Sequence, residues 1–307
     1  MQVILYNVLR RFLSQSSRNR LKKILYKIKN KFKRLILFYY GTVDNDELIC
    51  HIESKLGNDF EILMIHSSYD NMQPMYIGNP SDFIKRLVNY CNKSRITLVM
   101  PAFFFGKGGN DIIDAANYYH KTPVIDLNKT YSQMGFLTEI FRRYPGVKRS
   151  IHPTHSVCAL GPLADEVVRS HHLSNNPYGS GTPFGVMAEH KTKIFGIGTR
   201  YYRVLTQAHT AEELMGESFP IHFNYEESIL INCISINGKE IKYNFAVRSK
   251  EFRIDAIALK KILDDIGIQT WKFKGIPFFV TEAKLVTDTL IHAAKKGKTI
   301  YRKIKSR

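Results

Sequence analysis

No stretch of this 307-residue sequence is apolar over the roughly 20 residues that a bilayer-spanning helix requires. Its start also lacks the order of a secretory signal, because Met1 to Leu9 is apolar, the arginines come only afterwards, and no small-residue cleavage site follows. Cysteine is scarce. Cys50, Cys91, Cys158 and Cys233 lie far apart with no CxxC pair, which excludes a disulfide framework and a thiolate metal centre and reads as reduced core thiols in a cytosolic protein. Acid is scarce as well: 27 Asp and Glu stand against 45 Lys and Arg, a net charge of +18. What is abundant is core-forming material, 44% hydrophobic and 12% aromatic, which rules out a disordered or collagen-like chain.

The charge is unevenly placed. Between Met1 and Val43 there are eleven cations and no acid, and the stretch Lys295 to Arg307 carries seven more. Leu21, Ile24, Leu25, Ile28, Phe32, Leu35 and Ile36 recur at helical spacing, so the spacing predicts a basic amphipathic helix over 21–36. Such a stripe suits an anionic membrane surface at the inner face of the cell membrane, or equally a face of the protein's own body or of a second subunit. Nucleic acid is not expected, since no zinc finger, RNA-recognition signature or aromatic-interleaved basic strand occurs. Residues 1–43 are read as a helical extension and 44–307 as one α/β domain, cytoplasmic and of open oligomeric state.

Within that domain strand and helix patterns alternate. Apolar runs at 61–66, 96–100, 157–160 and 193–198 read as strands, and 79–92, 132–144, 204–215, 256–266 and 282–295 read as helices. The alternation predicts a central mixed, largely parallel sheet flanked by helices on both faces. Residues 228–236 and 240–247 around Asn237-Gly238 predict an antiparallel hairpin, because Asn-Gly accepts the positive φ of a type I′ turn; it would extend the sheet or cover one side of a cleft.

Several chemistries find no support. Phe195-Gly196-Ile197-Gly198 lacks the third glycine and the acid of a dinucleotide fingerprint, and there is no GxxxxGK[ST] loop or GxSxG elbow. His152, His155, His171, His172 and His209 include no HExxH spacing, and no metal site is expected. His209 and Glu212, by contrast, are i, i+3 on a predicted helix and share one face. A carboxylate on one ring nitrogen fixes the tautomer and raises the basicity of the other, which is what a general base needs. Taken alone, such a pair is more commonly an ordinary surface contact.

Six segments, in order, resemble the aminoglycoside 3-N-acetyltransferase family: Ile65 to Ser68, Thr97 to Pro101, Ser132 to Gly135 with Phe141 to Gly146, Arg149 to Ser156, Gly179 to Phe184, and His209 to Glu212. The resemblance spans roughly residues 61–213, and its order carries more specificity than any one motif. It implies acetyl-CoA as acyl donor in a cleft at the strand ends, with His209 as general base oriented by Glu212. It places His66, Ser67, Ser68, Met134, Gly135, His152, His155 and Ser156 at the coenzyme. No cysteine falls in these motifs, so a ternary complex is expected, with no acyl-enzyme. One departure bears on the acceptor: Ser180 stands where family members that modify aminoglycosides usually carry glutamate. With Arg200 and Arg203 expected to bind the substrate near the base, an anionic acceptor fits better than a polycation. The expected reaction is therefore N-acetylation of a nucleotide- or lipid-linked amino sugar of a bacterial surface glycan, the alternative being an aminoglycoside and hence antibiotic resistance.

Overall fold

The computed structural model describes residues 15–249 and 251–304. The readings made for Met1 to Leu9, Arg10, Arg11, Lys305 and Arg307 lie outside the described residues.

Twelve strands are described: β1 (Ile62–Ser67), β2 (Thr97–Pro101), β3 (Val124–Asp126), β4 (Lys148–Arg149), β5 (Val157–Leu160), β6 (Thr192–Ile197), β7 (Tyr225–Ile234), β8 (Glu240–Arg248), β9 (Phe252–Ile254), β10 (Gln269–Phe273), β11 (Ile276–Glu282) and β12 (Tyr301–Lys303). The main sheet runs β10-β11-β6-β1-β2-β5-β4. Its centre, β6-β1-β2, is parallel, and antiparallel strands complete it on either side. Parallel strands buried on both faces call for a continuous apolar run, which Ile62 to Ile65 of β1 and Leu98 to Met100 of β2 supply.

Strand alternation splits the core into two layers. Leu63, Ile65, Leu98 and Met100 face helices Asn45–Leu56 and Pro80–Lys93. Ile62, Met64 and Val99 face helices Pro183–Glu189, Ala256–Leu263 and Ala283–Lys295 on the other side. Each fully buried aliphatic side chain contributes about 1.5–3 kcal/mol, so both layers are needed to hold the sheet. Helix Pro80–Lys93 shows why these segments are helical. The Asn79 side chain accepts from the amides of Ser81 and Asp82, proline opens the first turn, and Phe83, Ile84, Leu87, Val88 and Cys91 line one buried face.

Two details differ from expectation. The hairpin forms, with Ser235 N–H donating to the Lys239 carbonyl across Asn237-Gly238, yet it does not extend the main sheet. It joins β3 in a separate sheet, β3-β7-β8. The reason is one-sided burial: Ile229, Ile231 and Cys233 pack on helix Ile112–Lys121, while Leu230 between them is 55% exposed. Such strands suit a half-solvated sheet and not a buried one. The 204–215 segment is also not one helix. It divides into Tyr201–Val204, a 3₁₀ turn at Thr206–His209 and helix Thr210–Met215, because Leu205 leaves helical dihedrals at ψ 82°.

The N-terminal stripe is helical as Gln15–Lys31 and Lys33–Tyr40. Ile24, Leu25, Ile28, Phe32 and Leu35 stay 45–63% exposed, so the protein's own body leaves them largely uncovered among the described residues. Among those residues no helix is long and apolar enough to cross a membrane.

Candidate active site

Parallel strands β1, β2 and β6 end at the same edge of the sheet, and the loops beyond them carry the predicted site residues. This edge is where open α/β sheets bind ligands, since loops diverge there and leave a crevice.

His209 ends the 3₁₀ turn that follows β6 and caps helix Thr210–Met215. About a fifth of its side-chain surface is exposed, against 5% for Glu212. Its Nδ1 lies 2.8 Å from the Tyr301 hydroxyl and 3.4 Å from Glu212 Oε1. Arg248 Nη1 donates to Glu212 Oε1 at 2.8 Å. Burial pushes the Glu212 carboxyl up, but His209, Arg248 and Tyr301 together hold it below its ordinary value. It is therefore an anion, as a partner for an imidazolium must be. With Nδ1 engaged, Nε2 is the nitrogen left for substrate; among the described residues it makes no hydrogen bond.

The other face of the imidazole is covered by Tyr178, stacked at 4.7 Å between centroids and 22° from parallel. Tyr178 is fixed in turn by Glu213, whose Oε2 accepts its backbone N–H at 2.6 Å. Burial lifts the Glu213 carboxyl to about 8, so it carries its proton at neutral pH. His155 packs edge-on against Tyr178, Phe103 and Phe105, which brings it beside the same pocket.

The remaining predicted residues divide into two groups. His66 and Ser67 end β1, and both are buried or nearly so. Burial holds the His66 imidazole at about 4, hence neutral. Its Nε2 and the Ser67 Oγ have no partner among the described residues, an arrangement that fits a ligand supplying the missing bonds. Ser68 follows with its N–H on the Ile197 carbonyl, linking the ends of β1 and β6. Gly135 approaches from the other side, close enough that a Cβ there would sit 3.6 Å from the Ser67 carbonyl oxygen. Its φ of 113° favours glycine, and Met134 beside it packs into the layer that holds Phe103 and Tyr178.

His152 and Ser156, by contrast, are occupied with structure. His152 Nδ1 accepts from the amides of Thr154 and His155, so its proton is on Nε2, donated to Tyr243 Oη, which donates to the Ser174 carbonyl. Ser156 Oγ accepts from Arg149 Nε and donates to the Ala102 carbonyl. Arg200 lines a cavity of about 810 Å³ beside β10 and β11, together with Lys260, Lys261 and Trp271. His209 does not line that cavity, and Arg203 is exposed on the same short helix as Tyr201. The cation in contact with the His209–Glu212 pair is Arg248. Tyr178, Glu213, Arg248 and Tyr301 were not identified from sequence, being brought in by other elements; for Glu213 alone, adjacency to Glu212 was a signal. Among the described residues no group of three His, Cys, Asp or Glu is placed to hold a metal ion.

Chemically, this is an imidazole with Nδ1 engaged, Nε2 without a hydrogen bond among the described residues, and a compensated carboxylate behind it. The thiols of Cys91, Cys158 and Cys233 are buried and pushed up to about 12, 11 and 12 by desolvation, and the exposed Cys50 lies on helix Asn45–Leu56.

Residues 64–291 match the family model described as aminoglycoside 3-N-acetyltransferase. Aminoglycoside N(3)-acetyltransferase IX of Micromonospora chalcea is 32% identical over 132 residues, 43% of this chain and 46% of that protein. The matched part thus spans under half the length of that curated relative. Among solved structures, aminoglycoside acetyltransferase AAC(3)-Xa superposes with a TM-score of 0.67 at 18% identity, covering 88% of this chain and 99% of that one. AAC-IIIb in binary complex with CoASH gives 0.64 at 18%, covering 84% and 98%. At such identity these two likenesses establish the fold.

Proposed function

Because the chain belongs to the aminoglycoside 3-N-acetyltransferase family, we propose that it is an acetyl-CoA-dependent N-acetyltransferase acting on an amine of an amino sugar. The observation that carries this reading is the state of His209: Nδ1 is engaged behind, and Nε2 is free at the strand-end edge. The amine nitrogen attacks the thioester carbonyl, a C–N bond forms, and His209 Nε2 takes the proton that the nitrogen sheds. Collapse of the tetrahedral intermediate breaks the C–S bond, and the proton passes to the departing thiolate, giving amide and CoA thiol. Glu212 stabilises the transient imidazolium. The unsatisfied His66 Nε2 and Ser67 Oγ, with Ser68, Met134 and Gly135, offer the polar contacts for the coenzyme, and His155 stands beside the same pocket. A supply of acetyl-CoA fits a cytoplasmic protein, and the exposed stripe of residues 24–35 among lysines fits transient contact with an anionic membrane.

The relatives' names favour an aminoglycoside acceptor. One observation favours a less cationic amino sugar, nucleotide- or lipid-linked: Glu212 is paired with Arg248 and Glu213 holds its proton up to about pH 8, so neither offers a free anion to a polycation. The test is release of CoA thiol by the purified protein with acetyl-CoA and, in parallel, a gentamicin-type aminoglycoside or a nucleotide-linked amino sugar. Turnover with the drug alone selects the first acceptor, turnover with the sugar nucleotide alone selects the second, and silence with every amine overturns the acetyltransferase reading.

A further inference from the structure

The family match ends at residue 291, and the described chain continues to 304. Helix Ala283–Lys295 stops at Gly297, whose φ of 71° turns the chain back on itself. Ile300 is then buried among helices Ala256–Leu263 and Ala283–Lys295. β12 pairs antiparallel with β9, Tyr301 opposite Ile254, and flanking bonds run from Asp255 N–H to the Ile300 carbonyl and from Ile304 N–H to the Glu251 carbonyl, both 2.7 Å. The tail is stitched to the body, and it delivers one side chain to the candidate active site.

We propose that Tyr301 is a positioning residue for His209, placed by this tail between the imidazole and its carboxylate. The inference rests on the acetyltransferase reading. Three contacts define the role. Tyr301 Oη is 2.8 Å from His209 Nδ1, whereas Glu212 Oε1, the direct partner that sequence spacing suggests, is 3.4 Å away. The same hydroxyl stands in the field of the Glu212 carboxylate and the Arg248 guanidinium. Rings of Phe219 and Phe223 pack edge-on around it and fix its direction.

The donor arrangement follows from chemistry. Burial lifts the phenol well above its ordinary value, so it stays protonated. Glu212 Oε1 also faces Nδ1 and a carboxylate only accepts, so the proton belongs on Nδ1 and the phenol oxygen accepts it, its own O–H turned toward the anion. That locks the proton on Nδ1 and presents Nε2 as base. When Nε2 takes a proton, no atom behind it has to move, because the imidazolium already faces an oxygen polarised by an anion.

Tyr301→Phe keeps the ring packing and removes only the hydroxyl. The expected result is a drop in kcat of about 10–100-fold, the scale for losing a group that orients a first-contact residue, with KM for acetyl-CoA little changed. In ¹⁵N-histidine NMR, the wild-type His209 should show the Nδ1–H tautomer, and the variant a mixture. Tyr301→Phe and Glu212→Gln should be non-additive, since one acts through the other. Unchanged kcat with an unchanged tautomer would overturn the proposal, as would a wild type with its proton on Nε2. The NMR measurement needs no substrate, so it decides the role of Tyr301 even if no acceptor turns over and the acetyltransferase reading falls.

Discussion

The ring of Tyr178 lies flat on the imidazole of His209, and the amide of Tyr178 is held by the residue next to Glu212. The base is thus gripped on a face by one aromatic and at one nitrogen by a hydroxyl, leaving a single edge for chemistry. His209→Ala should lower kcat by about 10²–10⁴, the range for losing a general base, with little change in acetyl-CoA affinity by calorimetry. A variant that turns over like the wild type would remove His209 from the mechanism.

Stability should peak near neutral pH and fall on both sides. Burial keeps His66 at about 4, His171 at about 3, and His152 and His155 well below the ordinary value of about 6.5. Each of these folded values lies below the unfolded one, so the stability they contribute is complete above about pH 6.5 and is lost as pH falls toward them. Glu213 acts oppositely. Its folded value of about 8 exceeds the 4.5 of a free carboxyl, so stability declines as pH rises between those limits. Below pH 6.5 these four imidazoles outweigh one carboxyl; from 7 to 8 Glu213 lowers stability, joined by His190, whose pKa, against its desolvation, Glu166 and Glu61 raise. Thermal melts should therefore rise from pH 5 to about 6.5 and decline toward 8. Glu213→Gln should flatten the decline, leaving the part due to His190, and keep the acid limb, because a glutamine oxygen still accepts the Tyr178 amide.

What sequence revealed here was local. His209 and Glu212 are three residues apart, and any helical turn puts them on one face, so even the break at Leu205 left their relation intact. The buried strands β1 and β2 were legible for the same reason, as short apolar runs with clear stops. Tyr301 is 92 residues from His209, and Arg248 is 36 from Glu212; nothing in local periodicity joins them. The β10–β11 hairpin was missed because polar Gln269, Lys272 and Lys274 interrupt any apolar pattern on this sheet edge. The hairpin β7–β8 was seen, but its sheet was not, because its partner β3 has only three residues.

Gly198 marks a close approach of two site loops. Its φ is +70°, and a Cβ there would lie 2.4 Å from the Ser68 carbonyl oxygen, a backbone atom that cannot swing aside. Gly198→Ala should cost about 1–3 kcal/mol by chemical denaturation and, by displacing Ser67 and Ser68, raise KM for acetyl-CoA. Gly216→Ala is the control, since φ is +51° there but no atom lies within 4 Å. It should pay only the dihedral penalty and leave KM alone. Equal losses in the two variants would mean the close approach is unimportant.

Arg149 is a buried cation tied to the loops around the sheet edge. It is 5% exposed, and its guanidinium donates to Ser156 Oγ at 2.9 Å and to the carbonyls of Leu127, Thr130 and Ala102 at 2.8, 2.6 and 2.9 Å. These acceptors lie on three separate loops, two of which flank the ends of β2 and β5. Burial lowers its pKa, yet a guanidinium remains charged, and dipoles rather than a carboxylate solvate it. Arg149→Lys keeps the charge and loses the fork: one ammonium cannot span acceptors that the planar group reaches from three nitrogens. The Ala102 carbonyl keeps the Ser156 hydroxyl, but those of Leu127 and Thr130 lose their Arg149 donor, at about 1–3 kcal/mol each, so the variant should unfold about 2 kcal/mol more easily. Amide exchange should show the loss spreading to the 127–130 and 150–156 loops and sparing helix Pro80–Lys93. Uniform loosening of the whole chain would instead place Arg149 in the global core, and wild-type stability would mean that lysine or water satisfies the acceptors equally well.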